Sequence, residues 1–280
     1  MRIYIIGSTG QLGSDLSEVL SSEHSVEGGG RDTFDITETE QFIEYVKGNY
    51  DIVINTAAEN NLKYCEENPQ RAELINGDIP GRITDRLSGT GTRFIHFSTD
   101  YVFDGNKTSP YTERDTPNPL NTYARTKYQG EVNVLSANPD ALILRVSGLY
   151  GRHKSRTKGY DFVSKVINKA LSGEILKIVD DQILTPTHTL AVARQTALII
   201  DSDLSGIIHC TDHGSVSWYE FADEALSIAG IKADIEPINT PQGSIIRPMY
   251  SVLENTRLKN AGIDNMKYWK DSLKEYFSLI

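Results

Sequence analysis

Ile3-Tyr4-Ile5-Ile6-Gly7-Ser8-Thr9-Gly10-Gln11-Leu12-Gly13, running on into Asp15-Leu16-Ser17-Glu18-Val19-Leu20, decides the fold. The short apolar run reads as a buried strand, the glycine turn follows at once, and the segment after it reads as a helix. That order aims backbone N–H groups and the positive end of a helix at a pyrophosphate. The spacing is G-x-x-G-x-x-G, not the G-x-G-x-x-G of the usual fingerprint. The reading therefore rests on the placement of the glycines between a strand and a helix, not on the glycines alone.

Outward from that turn, strands and helices alternate. Residues 25–30 read as the second strand, ending in Gly28-Gly29-Gly30-Arg31-Asp32. An acidic side chain near here would hold the ribose 2′-OH of NAD, whereas Arg31 suits the 2′-phosphate of NADP. The reading favours NADP(H), while Glu27 and Asp32 keep NAD(H) open. A helix over 38–47, a strand over 51–55 and a helix over 66–76 follow. The strand over 93–98 delivers Thr99, and another strand spans 141–146. Thr56-Ala57-Ala58 is small enough for a cofactor to approach over the strand ends. This alternation predicts an α/β, doubly wound parallel sheet of Rossmann type over residues 1–150.

Beyond residue 150 the pattern loosens. Helices are expected over 162–171, 189–201, 218–229, 255–261 and 270–277, with short strands over 175–179 and 207–210 and a turn over 182–187. Residues 151–280 read mostly as a smaller, substrate-binding C-terminal lobe, with a segment near 185–212 returning to the sheet.

The chemistry is carried by Ser98-Thr99-Asp100-Tyr101-Val102-Phe103-Asp104-Gly105 and, downstream, by Tyr123 and Lys127. Pro117 and Pro119 precede this pair, and Asn121 offers an N-cap for a helix over 122–135. On that helix the i, i+4 spacing sets both side chains on one face, about 5 to 6 Å apart at Cβ. A neighbouring ammonium favours the phenolate and is expected to lower the tyrosine pKa from about 10. Such a tyrosine can give a proton to a carbonyl oxygen as hydride reaches the carbon, with Thr99 hydrogen-bonding the same oxygen. Tyr150 and Lys154 share the spacing, but Gly151 and Arg152-His153 read as a loop. His96 alternates with apolar neighbours and reads as a core histidine.

The formal charge of −10 over 280 residues argues against nucleic-acid or anionic-membrane partners, which need clustered Lys and Arg. Two cysteines, Cys65 and Cys210, are too few for a disulfide scaffold or a structural zinc site and fit a reduced, cytoplasmic protein. No apolar stretch approaches the length of a membrane span. No metal-hydrolase, serine-hydrolase or P-loop motif is present, and no metal site is expected.

With these residues in hand, the chain resembles the extended short-chain dehydrogenase/reductases, and within them the dTDP-4-dehydrorhamnose reductase family. The resemblance is carried by the 7–13 turn, Asn55-Thr56-Ala57-Ala58, the 98–105 segment, the 117–131 segment with Tyr123, Lys127, Gly130 and Glu131, Pro186-Thr187 and Arg247-Pro248. It implies an NADPH-dependent reductase of a nucleotide-linked 4-keto-6-deoxy sugar, with Thr99, Tyr123 and Lys127 catalytic. It implies that Gly10, Gln11 and Leu12, with Gly7 and Thr9 of the same turn, contact the pyrophosphate. Asp35 and Ile36 would meet the adenine end, Ala57 and Ala58 the inner ribose, and Tyr123 and Lys127 the nicotinamide end. Thr99, Asp100, Gln182, Thr187 and Arg247 would line the sugar-nucleotide side, the arginine fork suiting a diphosphate.

One departure stands out: Gly148 replaces the family's tryptophan, removing a stacking surface beside the sugar. The chain has Thr99-Asp100-Tyr101 where sugar-nucleotide dehydratases carry Thr-Asp-Glu, which disfavours water elimination. An NAD-retaining sugar-nucleotide epimerase and a non-catalytic NADP-binding subunit, like the regulatory subunit of methionine adenosyltransferase, share enough of these motifs to stand as alternatives. A homodimer is compatible with the sequence.

Overall fold

The computed structural model describes residues 1–280 except 31, 32, 34, 154–158 and 160. Arg31 and Asp32, the residues on which the 2′-phosphate and ribose readings turned, and Lys154 lie outside the described residues. The first strand, β1 (Arg2–Ile6), is followed by α1 (Gln11–Leu20), β2 (Ser25–Gly29), α2 (Thr39–Val46) and β3 (Ile52–Asn55). Next come α3 (Leu62–Glu67), α4 (Pro69–Glu73), a π-helical turn (Leu74–Asp78), α5 (Ile79–Leu87) and β4 (Arg93–Thr99). A single 3-10 turn (Asp100–Val102) leads towards α6 (Thr122–Ala137) and β5 (Leu142–Val146).

The later elements are β6 (Leu149–Tyr150), α7 (Phe162–Leu171), β7 (Leu176–Val179), β8 (Ile183–Leu184), β9 (Thr187–His188), α8 (Thr189–Ile200) and β10 (Gly206–His209). They end with β11 (Val216–Ser217), α9 (Trp218–Ala229), β12 (Ile235–Ile238), α10 (Thr256–Asn260) and α11 (Trp269–Leu279).

Six strands form one parallel sheet in the order β10-β5-β4-β3-β1-β2. Both of its faces are apolar because side chains alternate along each strand. Ile3, Ile5, Ile54, Ile95 and Leu144 pack on one side with Leu16 and Val192, while Tyr4, Ile6, Val53, Phe94 and Ile143 pack on the other with Ile43, Ile83 and Val134. The doubly wound α/β sheet expected from the sequence is the one observed. β10, from late in the chain, is one of its two edge strands.

Two expectations are corrected, and two elements went unread. The helix expected over 66–76 is broken at Asn68, where Pro69 opens α4, and a π-helical turn then passes directly into α5, which the sequence reading missed. Pro80 sits just past that junction, in the first turn of α5. Residues 182–187 are not a bare turn: β8 pairs with β11 and β9 with β6. β12, paired with β7, was also unread, because Pro237 interrupts its pattern.

Candidate active site

The strand order reverses at β1, which lies between β2 and β3, so the crevice over the carboxyl ends of β1 and β3 is the place where this topology takes a ligand. The glycine turn closes that end. Gly7 has φ of 82°, a region open to glycine, and its N–H binds Gly29 O at 2.7 Å. A Cβ on Gly13 would lie 2.1 Å from Gly7 O, and one on Gly28 would lie 2.4 Å from Ser8 Cβ. Gly10 caps α1 without a side-chain hydrogen bond, which leaves first-turn N–H groups of a ten-residue helix for an anion. Gln11 Nε2 is buried there with no partner. Thr9 is exposed at the tip of the turn and Leu12 is buried behind it.

Around the rim, Asp35 is exposed and its carboxylate accepts from Thr37 N at 2.9 Å; Ile36 packs against the core beside it. Ala57 and Ala58 are half-buried just past β3. Glu27, the acid that kept NAD open, instead accepts from the hydroxyls of Tyr50 at 2.6 Å and Tyr45 at 3.0 Å.

Two strands further along, α6 crosses the end of β4. Its start is set by Asn121, whose side chain accepts from Ala124 N, and by Glu66, which binds Thr122 N at 2.8 Å and Thr122 Oγ1 at 2.6 Å. Gly130 lets the helix lie against the π-helical turn, since a Cβ there would be 2.2 Å from Asn76 O. Asn76 ties that turn to α6 through Thr126 Oγ1 at 3.1 Å, and to Glu59 O at 3.0 Å. Glu131 and Arg145 of β5, both 1% exposed, close a forked pair at 2.9 and 2.6 Å that pins α6 to the sheet.

The structure brings Thr99, Asp100, Tyr123 and Lys127 together. The Tyr123 hydroxyl lies near enough to Thr99 for that side chain to lower its pKa, and Thr99 Oγ1 donates to Asp100 Oδ1 at 3.0 Å and accepts from Tyr101 N at 3.2 Å. Asp100 is sunk among hydroxyls: Ser147 donates to it at 2.8 Å and Ser251 at 2.6 Å. Burial nonetheless pushes its carboxyl up to about 6, against the lowering effect of those hydrogen bonds. The expected facing of Asp100 towards a sugar is therefore corrected: its carboxylate faces an interior hydroxyl cage and reaches the cleft through Thr99.

The expected acidification of Tyr123 is also corrected. Burial raises its hydroxyl above the ordinary tyrosine value, outweighing the lowering by Thr99. Lys127 Nζ reaches Phe97 O at 2.6 Å and His96 Nε2 at 3.1 Å, and burial lowers it to about 8. Spacing put the two side chains on one helical face, but desolvation, not their attraction, sets the tyrosine.

Arg247 is half-buried and near enough to Tyr101 to act on its hydroxyl, and the Tyr101 ring meets that of Tyr123 edge-on at 6.1 Å. It therefore borders the same cleft. Gln182 and Thr187 are otherwise engaged: Gln182 Nε2 donates to Thr240 Oγ1 at 2.8 Å, and Thr187, fully buried, donates to Thr185 O at 3.0 Å. Gly148, at φ of 50°, has Leu184 Cδ1 only 2.6 Å from where its Cβ would stand, so the space a tryptophan would need is filled by neighbouring chain.

Sequence reasoning missed Asn55, Asn76, Ser147 and Ser251, and set His96 aside. His96 is indeed fully buried in the core, yet it touches Lys127. The alternation of β4 could place it inside, but nothing in the sequence could show what it meets there.

This arrangement matches known proteins throughout its length. The family model described as the RmlD substrate binding domain matches residues 1–280. The chain belongs to that family. Among curated relatives, the spore coat polysaccharide biosynthesis protein SpsK of Bacillus subtilis is 33% identical, over 98% of this chain and 96% of its own length. A crystal structure of a dTDP-4-dehydrorhamnose reductase from Clostridium acetobutylicum superposes with a TM-score of 0.93 at 36% identity, covering 100% of this chain and 99% of that one. The corresponding Bacillus anthracis reductase, crystallised in complex with NADP, gives a TM-score of 0.93 at 31% identity, covering 100% of this chain and 98% of that one. No helix among the described residues is long and apolar enough to cross a membrane.

Proposed function

We propose that this RmlD-family chain is an NADPH-dependent reductase of a dTDP-linked 4-keto-6-deoxy sugar. The observation that carries the reading is the Tyr123 hydroxyl beside Thr99 at the carboxyl end of β4, with Lys127 one turn along α6, two strands away from the uncapped start of α1 and its glycine cradle. The unpartnered Gln11 amide and the space kept by Gly13 and Gly28 fit a dinucleotide diphosphate. NADPH, when bound, supplies the hydride that reaches the keto carbon.

The chain's own residues supply the rest. Tyr123, held neutral by burial, is the proton donor that reduction requires, and its O–H bond breaks as the ketone oxygen becomes a hydroxyl. Thr99 holds that hydroxyl in place and can re-aim its own hydrogen from Asp100 to the same oxygen. Lys127, as the ammonium, stabilises the phenolate that Tyr123 leaves. Arg247, at the cleft edge, is the cation for the nucleotide diphosphate. We assign Gly7, Thr9, Gly10, Gln11 and Leu12 to the pyrophosphate, Asp35 and Ile36 to the adenine end and Ala57 and Ala58 to the inner ribose. The closely packed backbone at Gly148 leaves the sugar wall without a stacked indole, so the sugar is held chiefly by polar contacts. The buried thiols of Cys65 and Cys210 fit a cytoplasmic setting.

The test is NADPH oxidation by the purified protein across a panel of dTDP- and UDP-linked ketosugars. Oxidation with a dTDP-linked 4-keto-6-deoxy sugar is expected; no oxidation with any member overturns the reading.

A further inference from the structure

The polar groups around Lys127 include one hydrogen-bond donor too many. The Ala57 N–H, which can only donate, binds Asn55 Oδ1 at 3.0 Å and so fixes the orientation of that amide. Asn55 Nδ2 then presents its hydrogen to His96 Nδ1 at 3.1 Å. A neutral imidazole has one N–H, so an accepting Nδ1 leaves the proton on Nε2. Nε2 lies 3.1 Å from Lys127 Nζ. An N–H at that position needs a lone pair opposite it, and an ammonium has none.

The alternatives relocate the conflict without removing it. With the proton on Nδ1, the imidazole N–H faces the Asn55 amide hydrogens; with the amide flipped, those hydrogens face the Ala57 N–H. A doubly protonated His96 adds a third donor, and both burial and the Lys127 charge oppose it. Asn55 and His96 are fully buried and Lys127 is 2% exposed, so water does not relieve the clash. Removing one proton from Lys127 does. A neutral amine accepts from His96 Nε2–H and still donates to Phe97 O at 2.6 Å.

We infer that Asn55 and His96 hold Lys127 as a neutral amine in the free protein at pH values where an ordinary lysine is still an ammonium, which makes His96 a positioning residue that sets the lysine's protonation state. The other charged groups facing this pocket are few. Glu131, one turn along α6, favours the ammonium, but its carboxylate is held by Arg145 from β5. Asp100, on the far side of Thr99, is occupied by its hydroxyls. Burial acts on Lys127 in the same direction as the hydrogen-bond conflict. The inference concerns the free protein and stands apart from the reductase reading.

The experiment is NMR of the free wild-type protein carrying 15N in histidine and 13Cε in lysine, with His96→Gln and Lys127→Arg used only for assignment. The expected result is a His96 ring protonated on Nε2 and a Lys127 titration at or below about 8. Asn55→Asp provides the decisive contrast, because a carboxylate accepts from both the Ala57 N–H and a His96 Nδ1–H. It should move the imidazole proton to Nδ1 and raise the Lys127 midpoint towards its ordinary value of about 10.4. A wild-type ring protonated on Nδ1 beside a lysine titrating at its ordinary value overturns the inference, as does an Asn55→Asp protein whose tautomer is unchanged. Should that variant not fold, the wild-type spectra decide alone. Absence of ketosugar reduction would leave these signals where they are, so the two readings fail separately.

Discussion

Removing Glu131 should cost the fold far more than a surface charge would. Its carboxylate meets Arg145 through two bonds, at 2.9 and 2.6 Å, and both side chains are 1% exposed. Among the described residues Arg145 is the largest fully buried side chain, and its Nη1 already lacks a partner. In Glu131→Ala the guanidinium would stay in the interior with its carboxylate gone and only the Phe103 ring, 5.1 Å away, as a weak substitute. Breaking one side of such a pair costs about 3–5 kcal/mol, against roughly 0–1 kcal/mol for an exposed pair. Urea unfolding followed by far-UV circular dichroism should show the midpoint falling at an unchanged denaturant slope. Because α6 carries Tyr123 and Lys127, the variant should also lose activity in proportion to its unfolded fraction. Glu131→Leu with Arg145→Met, which leaves no orphan charge, should recover most of the loss. A cost below about 1 kcal/mol for Glu131→Ala would refute the closed, dry pair and with it the account of how α6 is fixed.

Other consequences follow from the same contacts. Gly148→Ala should lower the thermal midpoint, since a left-handed φ alone costs about 1–2 kcal/mol and Leu184 must also give way; an unchanged midpoint would contradict that backbone. Lys127 is depressed to about 8 in the folded protein from 10.5, so between those values the unfolded chain holds more protons and stability rises with pH. That gain, about 3 kcal/mol in all, should be missing in Lys127→Met when the two proteins are compared by urea unfolding across the window; parallel curves would contradict the depressed lysine. Arg247→Ala should raise KM for the sugar nucleotide with little change in kcat, a pattern steady-state kinetics would read directly.

The sequence made the sheet and its glycine turn legible because both follow local rules. β1 is a run of apolar residues, and Gly7 stands where the chain must turn with positive φ. The start of α6 was legible for the same reason, Asn121 being a good N-cap wherever it occurs. α5 was not, because Ile79-Pro80-Gly81 reads as a break when its neighbours are unknown, and only packing against α6 makes it helical. Within the site, spacing gave the shared face of Tyr123 and Lys127 but not the direction of the ammonium. That direction depends on Phe97 O and His96, about thirty residues away in the chain. The same holds for Asp100: its place after Thr99 could be read, whereas Ser251, 151 residues away, could not be foreseen as a partner.

The account depends most on Tyr123 as the proton donor. Tyr123→Phe keeps the ring and its edge-on contact with Tyr101 and removes only the hydroxyl. Single-turnover oxidation of bound NADPH by a dTDP-linked 4-keto-6-deoxy sugar, followed by nicotinamide absorbance, should slow by about 10²–10⁴-fold while NADPH affinity is unchanged. A variant that oxidises NADPH at the wild-type rate would contradict the account.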